Sequence, residues 1–339
     1  MVKLKTFEYR VFDLSGAFKF TISPKWIKST PKFTSNINGG QGNMNIVLKQ
    51  SFSFQGIVRS DIVKVYKTDN ITPNGMLIYT GFIDEIDRSY LSWKESITYR
   101  VYWLYYPLGK LYARSGWSDT YSVNQDPKIT IEESIDFANT HYNLYSKNVS
   151  SFGSNIETDY DSTRITSLIT DLAIQTWFYF YIDQNWELTF AQKPSTPDHL
   201  FTVWREVIQI TSDEDWKDII NRYNLNYKSG LVTATDATSE TNNGFRKLTV
   251  TDTSIVDAAS AQIAADNYIL ENKDQKKRIK LEINSLYDID IIKPGETVKV
   301  LGLDYDINNL QIHKISYNID RVQLELEQVK TFSSEILKQ

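Results

Sequence analysis

Two groups of carboxylates are the first candidates for chemistry. Asp84, Glu85 and Asp87 lie in one run, and Asp288, Asp290, Asp304 and Asp306 lie in another. Two such groups about 5 to 10 Å apart, one with a raised pKa, are what glycoside hydrolysis requires. Both runs fall at expected strand ends or turns, where acidic residues solvate the chain, so no catalytic role is assigned to them and the protein is not expected to be an enzyme. Asp159-Tyr160-Asp161 and Asp304-Tyr305-Asp306 look like pieces of a calcium loop, but neither continues into the D-x-[DN]-x-[DN]-G spacing. Gly39-Gly40-Gln41-Gly42-Asn43 lacks the G-x-x-x-x-G-K-[ST] frame of a phosphate cradle, and no G-x-S-x-G elbow occurs. His141, His199 and His313 are far apart, and there is no cysteine. Thiolate and histidine metal centres, cysteine nucleophiles and disulfides are therefore not expected, nor is any cofactor.

Composition narrows the classes further. The 339 residues suggest about two domains, and such a chain buries a core large enough to need no staple. Lys+Arg 37 against Asp+Glu 42 leaves a net charge of -5, and the longest basic block is Lys276-Lys277-Arg278. That lacks the footprint of sequence-specific nucleic-acid binding. Val101–Leu108 is too short to span a bilayer, and residues 1–8 lack the apolar core of a signal peptide.

The elements that would position any site alternate with period two at both ends of the chain. Phe33, Ser35 and Ile37 lead into Asn38-Gly39-Gly40, and Met44, Ile46 and Leu48 follow, so residues 31–50 read as a hairpin. Ile62–Tyr66 and Leu77–Arg88 read as a second hairpin, and Ile97–Tyr105 as a long strand. In the middle, the capping box Thr130-Ile131-Glu132-Glu133 opens one helix. Another begins near Ser162, with Ile165, Leu168, Ile169 and Leu172 on one stripe. It runs into an aromatic hairpin, Thr176–Phe190, whose turn is Asp183-Gln184-Asn185. Beyond a proline-containing linker come strands at 207–210 and 222–228, a polar loop at 230–244, a helix from Ser254, and strands to residue 326.

The expected fold is α+β and mainly β, with two small antiparallel β-barrel domains and an inserted α/β region. Residues 1–106 form the first barrel and residues 201–230 with 277–331 the second. The insert comprises 107–200 and 245–275, and 231–244 is a mobile loop.

The order of segments is itself informative: Ile37–Gly42, Ile78–Ile86, the helix-hairpin Ile165–Phe190, Asn221–Tyr227, the helix Ser254–Asn272, and Ile292–Val300. Over nearly the whole chain this series resembles the tail-tip or baseplate hub proteins of tailed bacteriophages and related contractile injection machines. The resemblance implies a homotrimer in which two barrels per subunit alternate around a three-fold axis. The resulting pseudo-six-fold ring would join a hexameric tail tube or distal tail protein to a three-fold spike or fibre, and close the tube until ejection. It implies a place at the virion tail tip, with assembly in the bacterial cytoplasm. The turn with Asn38, Gly39, Gly40 and Gln41 and the loop with Lys293, Pro294 and Gly295 would face the interface. The chain continues only briefly past the last expected strand, so lytic activity is expected of another protein. An alternative, raised by 8 Trp and 21 Tyr, is a carbohydrate or receptor binder with Trp177, Tyr179, Tyr181 and Trp186 exposed in a row. A β-rich glycoside hydrolase ranks below both.

Overall fold

The computed structural model describes residues 6–49, 56–68, 75–91, 94–103, 105–112, 121–160, 163–192, 194, 196–203, 205–215, 219–274, 276–284, 292–302, 307–317 and 321–328. The first third supplies Thr6–Phe12 (β1), Phe18–Ile22 (β2), Phe33–Asn36 (β3), Gly40–Gln41 (β4), Met44–Lys49 (β5), Ile62–Thr68 (β6), Met76–Leu91 (β7) and Lys94–Trp103 (β8). A short helix Tyr105–Leu108 (α1), Tyr121–Gln125 (β9), Pro127–Tyr142 (α2), Ser146–Val149 (β10), Ile156–Tyr160 (β11) and Ile165–Thr176 (α3) come next. The hairpin Phe178–Ile182 (β12) and Glu187–Gln192 (β13) closes the middle. His199–Thr202 (β14), Val207–Asp215 (β15), Arg222–Tyr227 (β16), Gly230–Thr235 (β17), Ala237–Asn243 (α4), Lys247–Asp252 (β18) and Ala258–Asn272 (α5) follow. The last strands are Lys276–Asn284 (β19), Thr297–Leu301 (β20), Ile307–Tyr317 (β21) and Arg321–Gln328 (β22).

The fold is mainly β and is organised by two curled half-barrel sheets. One runs β2-β1-β6-β7-β8-β5 and the other β14-β20-β21-β22-β19-β15. Alternation in the sequence sets which face each strand buries. Val322, Leu324 and Leu326 of β22 point inward opposite Ile283, Leu281 and Ile279 of β19, and all six are essentially fully buried. The inner faces of both sheets merge into one hydrophobic core. A second core joins α2 and α3 to the β10-β13-β12 sheet.

Strand β3 fastens the half-barrels together. It was expected to form a hairpin with the segment that is β5, but β5 pairs with β8, and β3 pairs antiparallel with β21 of the other sheet. Period-two alternation specifies a buried face and says nothing about which edge accepts the strand, so both arrangements fit the same pattern. Phe33 at the start of β3 is 2% exposed and packs against Phe7, Tyr79 and Tyr317 at ring separations of 6.2, 4.9 and 5.0 Å.

Residues 231–244, expected as a mobile loop, are ordered as β17 and α4. The Asp236 carboxylate caps α4 by accepting from the Ser239 amide at 2.8 Å, and Lys273 neutralises it at 2.7 Å. Polar composition misled here, because Thr and Ala on a half-exposed edge strand leave only a weak alternation. The sheet β17-β16-β18 packs its inner face on α5, forming a third core with Tyr223, Leu225 and Ala265. Helix α5 starts at Ala258, after its Asp257 cap, and not at Ser254. Helix α2 likewise starts at Pro127, capped by Asp126, ahead of the anticipated Thr130 box.

This third unit meets the unit of α2, α3 and the β10-β13-β12 sheet along α3 and α5, where Asn267 donates to the Gln175 carbonyl at 3.2 Å. Asp171 sits in the same seam. Burial, with the Asp252 charge adding, pushes its carboxyl up to about 6. Both polar atoms of the buried Gln175 amide lack a partner among the described residues.

Two outcomes follow from this packing. Phe33→Ala should cost about 3–5 kcal/mol, and in urea both half-barrels should lose structure in one shared transition, because the ring belongs to a core common to both. A raised carboxyl pKa means that the folded state holds its proton longer than the unfolded chain does. Stability should therefore fall as pH rises from about 4 to 6 and level off above, by about 2–3 kcal/mol for Asp171 alone. Asp171→Asn should flatten that slope in thermal denaturation series.

Candidate functional site

The residues singled out at 38–41 and 293–295 lie far apart in sequence, yet the fold brings them to one strand. Asn38 adopts a left-handed backbone, φ 53°. Its amide donates to the Phe180 carbonyl at 2.7 Å, and its side-chain oxygen accepts from the Phe180 amide at 3.2 Å. One residue thereby pairs with β12 as a short extra strand would. Gly39 lies against Trp103, with 3.3 Å between an added Cβ and the indole. Gly40 and Gln41 pair with Asn36 and Ser35, which hold the turn onto β3.

From the opposite side, Gly295 packs its backbone flat on the Tyr179 ring. It has φ 89°, and a Cβ there would sit 2.2 Å from a ring carbon. Its amide donates to the Ile312 carbonyl at 2.8 Å, and its carbonyl accepts from the Gln311 amide at 3.0 Å. Pro294 is buried beside it, and Lys293 is half-buried. The Lys293 amide donates to Glu296 at 2.7 Å, and the same carboxylate oxygen lies 2.6 Å from Nε2 of the buried His199.

A third tie comes from the first half-barrel, where the Thr80 hydroxyl donates to the Gln184 carbonyl in the turn of the β12–β13 hairpin at 2.8 Å. That turn is preorganised by Asp183, whose carboxylate accepts from the amides of Asn185 at 2.7 Å and Glu187 at 3.1 Å. The inserted hairpin is thus gripped by β7, by the β3–β4 turn and by the loop before β20. Between the grips, Ser35, Ile78, Tyr181, Asp183, Lys293 and Tyr317 line a crevice of about 20 Å³, room for a single water.

The site is closely packed. Tyr179 and Tyr181 stack in parallel at 6.2 Å. Burial, with Glu296 and Asp198 adding, pushes the Tyr179 hydroxyl up to about 12, and burial raises that of Tyr181 as well. Both rings stay neutral at any physiological pH. Trp177, Tyr179, Tyr181 and Trp186 are only 7%, 8%, 5% and 6% exposed. An exposed row of these rings is therefore not what the chain forms; they fill the core around the hairpin.

The carboxylates near Asp84 are engaged too. Asp84 accepts from Arg59 at 3.0 Å and Tyr106 at 2.7 Å. Glu85 accepts from Arg100 at 2.8 Å and Tyr102 at 2.7 Å, and Asp87 pairs with Arg100 at 3.0 Å. These contacts straddle the bulge between Ile83 and Glu85. Asp288, Asp290, Asp304 and Asp306 lie outside the described residues. Among the described residues, no three His, Asp or Glu side chains are grouped to hold a metal ion.

Gly295→Ala should destabilise the protein by about 2–4 kcal/mol, from positive φ and the ring clash together. Adding Tyr179→Ala should leave the double variant more stable than the sum of the two single losses, because the clash is then gone. Urea denaturation of the four proteins measures that coupling.

No family model and no curated protein matches the sequence. Solved structures do match in fold. A prophage tail protein from Shewanella oneidensis aligns at TM-score 0.66 and 13% identity, covering 95% of this chain and 98% of that one. A tail protein from Neisseria meningitidis aligns at 0.67 and 12%, covering 95% and 96%. A prophage tail protein from Listeria monocytogenes aligns at 0.63 and 12%, covering 98% of both chains. From end to end, the chain shares the fold of phage tail proteins.

Proposed function

We propose that the protein is a structural component of a phage tail tip, a baseplate hub, and that its work is assembly and not catalysis. The observation carrying this reading is that one chain holds two half-barrel sheets bound through a single core. Three copies would present six half-barrels, the arrangement needed to seat a hexameric tail tube or distal tail protein on a three-fold spike or fibre. The ties on the inserted hairpin support this reading, since a subunit that passes load from tube to spike has to move as one body. The burial of Trp177, Tyr179, Tyr181 and Trp186 speaks against the carbohydrate-binding alternative, which needs that row exposed. The carboxylates near Asp84 are tied up in contacts with Arg59, Arg100, Tyr102 and Tyr106, which does not favour the hydrolase reading.

In this reading the turn at 38–41 and the loop at 293–295 serve the ring from inside the subunit, by fixing the half-barrels relative to one another. Light scattering and negative-stain microscopy on the purified protein, alone and mixed with its tube protein, test the proposal. A mass of three chains and rings with six peripheral lobes are expected. A strict monomer that forms no ring even with the tube protein would sink the hub reading.

A further inference from the structure

Unpaired sheet edges are templates for another chain, and proteins blunt them with short strands, charges, bulges or covering segments. Most edges here are blunted in one of those ways. Strand β2 has five residues, one of them Lys19, and a register break against β1. The edge of β5 is covered by the Lys28 amide, which bonds to the Val47 carbonyl. Strand β14 is four residues long, and β15 has a register break and ends in Asp213-Glu214-Asp215. Strand β10 is four residues with Lys147, β12 is occupied by Asn38, and β18 begins with Lys247 and ends with Asp252.

Strand β17, Gly230-Leu231-Val232-Thr233-Ala234-Thr235, carries none of these devices. It is uncharged, lacks proline, and pairs with β16 without a register break. Tyr227 and Gly230 close a two-residue turn, so Val232 and Ala234 bond to β16 while Leu231, Thr233 and Thr235 turn their amides and carbonyls outward. No other backbone among the described residues pairs with that outward row. Leu231 on the same edge is 55% exposed, a large apolar side chain on the outer face where a cross-strand neighbour in an added strand would meet it.

We infer that β17 is a docking edge that adds one extended, helix-free polypeptide segment of a different protein to the sheet β17-β16-β18. Main-chain hydrogen bonds to Leu231, Thr233 and Thr235 supply the affinity, and Leu231 selects an apolar residue in the incoming strand. A second copy of this chain joined through its own β17 fits poorly. Helix α5 packs chiefly over β17 and β16. With strands about 4.8 Å apart, two copies joined edge to edge would set their α5 axes less than about 10 Å apart. That is at or inside the limit at which helices pack. A bare strand meets no such obstacle, and the neutral edge accepts it without a charge to match.

The test is hydrogen exchange, read by mass spectrometry on the full chain with a synthetic peptide of alternating Thr and Val flanked by lysines. Saturable slowing by about tenfold, confined to residues 230–235, is expected. An alternately N-methylated version of the peptide, which cannot pair, should give no protection. Thr233→Pro should abolish the effect, and Thr233→Lys, which keeps the β16–β17 backbone pairing and gives up only the hydroxyl's bond to Asn224, should weaken it. The inference is overturned if millimolar peptide gives no protection, or if both variants respond like the parent. It is equally overturned if the free protein protects this edge by itself as concentration rises, with a doubled mass in light scattering.

Discussion

The pairing of Phe33–Asn36 with Lys314–Tyr317 is the constraint on which the rest of the molecule depends. Without it, the chain would be two half-open sheets, each with an exposed inner face. With it, the inner faces close against each other around Phe33, Tyr79 and Tyr317. The position of β3 also decides where Asn38 lands, and through Asn38 how the inserted hairpin is held. A single strand exchange therefore sets both the core and the joint.

The joint shows how side-chain chemistry finishes what strand pairing starts. Asn38 tolerates the left-handed backbone that lets one residue present both donor and acceptor to β12. Gly295 lets a loop lie flat on an aromatic ring, an approach closed to any residue with a Cβ. Glu296 gathers the Lys293 amide and the His199 ring at the same corner. Each is a small polar device placed where large apolar surfaces meet, and together they leave the hairpin little freedom to shift.

Much of this was legible in the sequence, and the reasons for the exceptions are physical. The buried faces of β6, β7, β19 and β22, the stripe of α3 and the β12–β13 hairpin follow from periodicity and turn residues. The partner of β3 does not, because alternation is blind to which edge a strand joins. Segments 38–41 and 293–295 stand out by their turn chemistry, but their convergence on Phe180 and Tyr179 depends on contacts between distant parts of the chain. The strand and helix in 231–244 were hidden by small polar residues, although Asp236, placed three residues before Ser239, was a readable helix start. The aromatic row at 177–186 was visible as a pattern, while its burial depended on distant segments: the loop with Gly295 on Tyr179, the crevice wall around Tyr181, and Phe82 with Tyr145 on Trp186.

The interleaving of the chain has a consequence for its synthesis. The second half-barrel draws strands from 33–36, from 199–215 and from the end of the described chain, with a whole α/β unit inserted between β15 and β19. On a ribosome, β3 emerges early and waits with an unpaired edge until Lys314–Tyr317 are made. Contacts of such long sequence separation close late and slowly. The first sheet and the inserted units can collapse as they appear, but the common core cannot be completed before the last strands arrive. One apolar face of the nascent protein thus stays open until β19 to β22 emerge, and their arrival is the step that seals it.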